Sequence, residues 1–272
     1  VLNRPYRIKG KRKTLNISNA NRIMKRVPTG IIGLDRMFGG GFPENSTIIV
    51  AGGPGSGKTI LCIQFLIRGV ADGEESIFLS LGESKERVQR NVNAFGWDLN
   101  QITFINPVEQ TARREAGPRL DTVLGATPQK KGYVADTDVI INLPSVTRLI
   151  SSVLKNNTRR IAIDSLSTLK MFYGDEVRKR RMLFRLMEFL EDSGCTCLLT
   201  SETTEVTPSL ENYISDGVIK LHTFIENGRK RRAIEIQKMR GIGFDEDMRP
   251  LKITNTGIEV YNEELFAEGL GP

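Results

Sequence analysis

Thr47-Ile48-Ile49-Val50-Ala51 is a short apolar run rich in β-branched residues, and a glycine-rich stretch follows it. From Thr59 to Val70 the apolar positions then recur at helical spacing, so the segment reads strand, loop, helix. The alternation repeats, with Ser76 to Ser80 as a strand, Ser84 to Phe95 as a helix and Ile102 to Ile105 as another strand. Val146, Leu149, Ile150, Val153 and Leu154 mark a further helix, and Arg160-Ile161-Ala162-Ile163-Asp164 reads as a buried strand ending in a carboxylate. Leu183, Leu186, Met187 and Leu190 fall at i, i+3, i+4 and i+7 of a helix that Gly194 is placed to terminate. A strand over 195–200 comes directly after it.

Strands alternating with helices predict an α/β fold, a mostly parallel twisted sheet with helices on both faces. Beyond residue 216 the pattern changes to extended segments over 217–225 and 231–239, separated by Glu226-Asn227-Gly228-Arg229. This predicts a C-terminal antiparallel β extension beside the core. Between Asn106 and Ile140 the chain is polar and irregular, a length of loop expected to be either functional or a surface excursion. One domain over 27–262 carrying this insertion is therefore expected, with a tail over 263–272.

Charge changes the picture at the N-terminus. Arg4, Arg7, Lys9, Lys11, Arg12, Lys13, Arg22, Lys25 and Arg26 give residues 1–26 nine cations and no acid. Removing those nine from the formal +7 leaves about −2 for the rest, so the basicity belongs to an arm that lacks hydrophobic periodicity. Such an arm suits nucleic acid or a protein partner, and two internal clusters, 178–181 and 229–232, read as solvated surface or subunit contacts. No run is apolar enough to span a bilayer and no secretory-type segment is evident, so a cytoplasmic location is expected. Cys62, Cys195 and Cys197 read as small core residues, because a zinc site needs four donors and only His222 could join them.

The chemistry concentrates at Gly52-Gly53-Pro54-Gly55-Ser56-Gly57-Lys58-Thr59, which sits after a buried strand and opens a helix. This spacing and context are those of a phosphate-binding loop, whose backbone N–H groups and helix N-terminus, continuing through Ile60, converge on anionic oxygens. Lys58 then bridges the β- and γ-phosphates, and the Thr59 hydroxyl coordinates Mg²⁺. Asp164, at the end of its apolar strand, is the expected acidic partner of that metal, since a buried carboxylate needs one.

With their surroundings these motifs resemble the RecA superfamily of P-loop NTPases, and within it the KaiC-like ATPases. The resemblance spans nearly all of 27–262. It is carried by Pro28-Thr29-Gly30-Ile31-Ile32-Gly33-Leu34-Asp35, Gly39-Gly40-Gly41-Phe42-Pro43, the phosphate loop, Ile63-Gln64-Phe65-Leu66, Phe95-Gly96-Trp97-Asp98-Leu99, Ile163-Asp164-Ser165-Leu166 and Lys238-Met239-Arg240-Gly241. It implies a RecA-like core, ATP with Mg²⁺, and a ring, commonly hexameric, with nucleotide between subunits. It also implies that Lys238 and Arg240 reach the γ-phosphate held by a neighbouring subunit, where cations stabilise transition-state charge.

One departure concerns catalysis. KaiC-like proteins usually end the second core strand with two glutamates, the first being the base that activates water. Here the segment is Ser80-Leu81-Gly82-Glu83-Ser84, with Gly82 at the place of that first acid. Glu83 either shifts into the role, helped by a permissive glycine, or only favours the start of the following helix. KaiC itself has two such domains, whereas this chain has one phosphate loop, and Asn212-Tyr213 stand where the autophosphorylated Ser-Thr pair would fall. The expected activity is slow ATP hydrolysis coupled to partner binding. The alternatives are a non-hydrolysing, ATP-dependent scaffold and a DNA-binding relative of the RadA recombinases.

Overall fold

The computed structural model describes residues 25–107, 141–202 and 210–263. Most of the basic arm, most of the 106–140 insertion and nearly all of the C-terminal tail lie outside these residues. At the edge of the arm, Lys25 pairs with Glu44 at 2.9 Å, and Arg26–Val27 (β1) pairs antiparallel with Phe42–Pro43 (β2).

The main sheet has nine strands among the described residues. Six run parallel: Thr47–Gly52 (β3), Glu75–Ser80 (β4), Thr103–Ile105 (β5), Thr158–Asp164 (β6), Thr196–Glu202 (β7) and Gly217–Glu226 (β8). Arg229–Met239 (β9), Arg249–Thr254 (β10) and Gly257–Val260 (β11) continue it antiparallel, in the order β11-β10-β9-β8-β3-β7-β6-β4-β5. The predicted α/β fold with an antiparallel extension is thus observed. Its hairpin turns at Asn227 and Gly228, both with positive φ (50° and 73°), the geometry of the tight turn that matches strand twist.

Burial on both faces makes the central strands continuous apolar runs. Alternation divides them: Ile48 and Val50 join one core, Ile49 and Ala51 the other. The first core is covered by Ile32–Met37 (α1), Lys58–Ala71 (α2) and Lys85–Val92 (α3). The second is covered by Leu143–Val153 (α4), Leu166–Met171 (α5) and Glu176–Asp192 (α6). A short helix, Leu210–Ile214 (α7), precedes β8. The helix read over 84–95 stops at Val92, a 3₁₀ turn over Asn93–Phe95 follows, and Gly96 (φ 71°) reverses the chain. After α6, Gly194 (φ 64°) takes the terminating position read from the sequence.

Arg160, the third residue of β6, is a cation yet fully buried. Its guanidinium donates to Glu74 (2.6 Å), Asp72 (3.3 Å) and the carbonyls of Pro28 (2.7 Å) and Phe65 (2.9 Å), which is how a charge is tolerated there.

Candidate nucleotide site

Parallel strands present their C-terminal ends on one edge of the sheet, where open α/β folds bind ligands. Here those ends are Gly52, Ser80, Asp164 and Glu202, around a cleft of about 550 Å³.

The phosphate loop leaves β3 and enters α2 through Gly55 (φ 69°) and Gly57 (φ 111°), conformations that strain any residue with a Cβ. Gly57 is the N-cap of α2 and brings no side chain to it. Four other helices are capped from within: Ser84, Asn142, Ser165 and Asp175 each accept the N–H three residues on. The first-turn N–H groups of α2 are thus free of such a cap, and the helix dipole favours an anion there.

Lys58 is buried and folds back on the loop, donating to the carbonyls of Gly52 (2.8 Å) and Gly53 (3.0 Å). Burial pulls its pKa below the usual lysine value, and the negative charges of Glu202 and Asp164 oppose the shift. Thr59 Oγ1 donates to Asp164 Oδ2 at 2.6 Å, while Thr200 Oγ1 donates to Asp164 Oδ1 at 2.6 Å. The sequence-predicted pair Thr59 and Asp164 is therefore brought together, along with a second hydroxyl, that of Thr200, which the sequence reading missed.

This donor set is all oxygen, which fits a hard cation such as Mg²⁺. Among the described residues no cluster of three or more His, Cys, Asp or Glu side chains forms a metal cage, so a cation here would rely on phosphate and water oxygens as well. The three cysteines are buried free thiols.

Glu83 stands at the mouth of the cleft, and its side chain is turned along α3 to Arg87 at 3.2 Å. The turn beneath it is pinned, because the Ser80 hydroxyl accepts the Glu83 N–H (3.1 Å) and donates to the Glu83 carbonyl (2.7 Å). Asn106 Nδ2 donates to the same carbonyl at 2.9 Å. Gly82 also lines the cleft, and a Cβ there would meet no atom within 4 Å.

Arg232, read from the sequence as solvated surface or a subunit contact, faces the chain's own phosphate loop: its Nε and Nη2 lie 3.4 Å from the Gly55 carbonyl. Ile253, from β10, lines the same cleft. Neither spacing nor charge marks these two residues, since the antiparallel extension folds back over the loop only in three dimensions.

Lys238 and Arg240 are elsewhere. Lys238 pairs with Val218 at the start of β8, and the neighbouring Gly217 pairs with Ile48 near the start of β3. The phosphate loop leaves the other end of β3, about 13 Å away by the rise per strand residue. Lys238 Nζ donates to the carbonyls of Asn212, Tyr213 and Ser215, and Arg240 Nη2 donates to Tyr213 O at 2.9 Å. Burial, then the neighbouring Arg240, hold the Lys238 pKa below its usual value. Within one protomer these cations do not reach the cleft.

Residues 27–265 match the family described as "ATPase: KaiC". The chain is 33% identical over 254 residues to a UPF0273 protein of Methanocaldococcus jannaschii, covering 89% of this chain and 99% of that one. It is 31% identical over 239 residues to the circadian clock oscillator protein KaiC of Parathermosynechococcus lividus, covering 86% of this chain and 42% of KaiC. Among solved structures, a KaiC-like protein of Pyrococcus horikoshii superposes with a TM-score of 0.68 at 28% identity, over 88% of this chain and 99% of that one. Fold and site thus define a RecA-type P-loop nucleotide-binding protein. The chain belongs to the KaiC family of ATPases and contains a single domain of that type.

Proposed function

We propose that the chain is a Mg²⁺-dependent ATPase whose site is completed across a subunit interface in a homo-oligomeric ring, commonly a hexamer in this family. The carrying observation is the placement of Lys238 and Arg240 at the sheet edge opposite the phosphate loop. A head-to-tail contact brings one protomer's cations to its neighbour's cleft, and repetition of that contact closes a ring.

In this reading the backbone of 52–60 and the N-terminus of α2 hold the phosphates. Lys58 exchanges its two loop carbonyls for β- and γ-oxygens, a trade its desolvated ammonium favours. Thr59 and Asp164 hold Mg²⁺, which when bound neutralises phosphate charge. Arg232 and Ile253 flank the nucleotide from the same protomer. Lys238 and Arg240 of the adjoining copy stabilise the charge that builds on the γ-phosphoryl group.

The test mixes two defective proteins. Lys58→Ala and Arg240→Ala are each expected to abolish or strongly reduce phosphate release. Mixed before ATP is added, they regain part of it, because some interfaces then pair an intact loop with an intact Arg240. No recovery, with both variants still associating by light scattering, would count against a shared site.

A second reading keeps binding and removes turnover: a nucleotide-gated scaffold. It is favoured by Gly82 and by the engagement of Glu83 with Arg87. Phosphate release no greater than that of Lys58→Ala, with ATP-dependent assembly retained, would select it.

A further inference from the structure

The site as described has a phosphate cradle and cations but no evident group to take a proton from water. Gly82 carries no side chain, Glu83 is held by Arg87, and both Asp164 oxygens are occupied by the hydroxyls of Thr59 and Thr200. We infer that Glu202, the last residue of β7, is the general base of this site. The inference rests on the ATPase reading above and assigns its missing group.

Placement comes first. β7 lies beside β3, and Glu202 is in register with Gly52, the first residue of the phosphate loop. It therefore stands at the root of the loop, and it lines the cleft with Lys58, Thr59 and Asp164.

Direction comes second. Side chains alternate along a strand, so Glu202 projects to the same face as Thr200, about 7 Å further toward the open end of the cleft. Thr200 reaches Asp164 from that face. Glu202 thus lies beyond the Thr59–Asp164 pair, and its negative charge, like that of Asp164, opposes the burial that lowers the Lys58 pKa.

Freedom comes third. The Glu202 backbone is fixed by the Ser167 hydroxyl, which accepts its N–H at 2.9 Å, while the side chain is exposed. Among the described residues its carboxylate takes no hydrogen bond or ion pair, in contrast to Asp164 and Glu83. A base needs a lone pair that is not already engaged and a backbone that does not wander, and Glu202 has both.

The step balances without a further reactant. The water oxygen attacks the γ-phosphorus as its proton passes to the Glu202 carboxylate. The bond from phosphorus to the β,γ-bridging oxygen breaks, with its electron pair leaving on ADP. Inorganic phosphate departs, and the carboxylic acid returns its proton to solvent.

The experiment compares the full chain with Glu202→Gln and Glu83→Gln, using phosphate release under saturating Mg-ATP and binding of a fluorescent ATP analogue. Glu202→Gln is expected to lose about 10²–10⁴-fold in turnover, the usual cost of removing a general base, while analogue affinity changes less than about threefold. The acidic limb of the pH–rate profile should disappear with it, a change that a loss of packing would not produce. Loss of turnover in Glu83→Gln with Glu202→Gln at the parent rate would give the role to Glu83 instead. Turnover that survives Glu202→Gln, or a pH profile unchanged in shape, would overturn the assignment and leave the ATPase reading standing. A parent protein no faster than Lys58→Ala would overturn both.

Discussion

Thr59 and Asp164, 105 residues apart in sequence, share a 2.6 Å hydrogen bond at the meeting point of α2 and β6. That contact joins the phosphate loop to the carboxylate strand and sets the oxygen pair proposed for Mg²⁺. Asp164→Asn keeps the size and an acceptor for Thr59 but removes the charge. The expected outcome is a fall in phosphate release of roughly 10²–10³-fold, the scale of losing one preorganised electrostatic group. Magnesium titration of turnover checks it: the requirement should move to higher concentration, and an unchanged titration would remove Asp164 from the metal site.

Gly82 offers a gain-of-function test. A Cβ there meets nothing within 4 Å, and the glycine has no positive φ to enforce. Gly82→Glu therefore fits, and it restores the acid pair usual in the family beside Glu83. Turnover should rise by about tenfold or more if the parent site is limited by its base. The same substitution placed in Glu202→Gln should recover part of the lost rate, as measured by steady-state phosphate release. No gain in either background would mean that a carboxylate at position 82 cannot reach the attacking water.

How much of this could be read in advance follows from the range of each signal. The strand, loop and helix around 47–70 were legible because glycine, lysine and threonine sit within a few residues of one another. Asp164 was legible because an apolar strand ended on an acid. Thr200, Glu202, Arg232 and Ile253 enter the site through strand pairing between segments far apart in the chain, and register is not written in local spacing. β10 and β11 are not legible in local pattern for a related reason. Arg249, Lys252 and Glu259 break the apolar pattern, and Arg249 is held by Asp245 and Asp247 instead. Arg160 reads as a strand's polar edge until its four partners, drawn from distant segments, make its burial tolerable.

Arg160 also explains a glycine. A Cβ on Gly69 would lie 2.5 Å from Arg160 Cδ and 2.6 Å from its Nε, closer than such atoms approach. In an exposed helix Gly→Ala adds up to about 1 kcal/mol of stability. Gly69→Ala should instead destabilise the protein by about 2 kcal/mol, the usual cost of overpacking a fixed core. Urea denaturation followed by circular dichroism gives the sign directly. A gain in stability would mean that the guanidinium cluster shifts at little cost.

Lys170 and Glu211 give a prediction whose sign depends on pH. Glu211 is buried, and its Oε1 accepts from Lys170 Nζ (2.6 Å) and from Ser201 Oγ (2.9 Å). Burial pushes its pKa up, but the Lys170 ion pair, a backbone hydrogen bond and the Ser201 hydroxyl together hold it below the ordinary glutamate value. A carboxyl whose folded pKa is depressed contributes stability above its unfolded pKa, and that contribution is lost as pH falls through the folded one. In Lys170→Met the largest influence opposing burial is gone and only the hydrogen bonds remain, so the Glu211 pKa rises and a charge without its counter-ion is left inside at neutral pH. The expected loss is about 3 kcal/mol at about pH 7.5. At an acidic pH below the parent's folded Glu211 pKa the residue is uncharged in both proteins, so the gap between the two should narrow to less than about 1 kcal/mol. Chemical denaturation of both proteins at the two pH values decides the matter, and an equal gap at both would assign the loss to packing of the lysine stem. Ser201 stands between Thr200 and Glu202 on β7. The variant should therefore loosen the strand end that carries the proposed base, and turnover at pH 7.5 should fall along with stability.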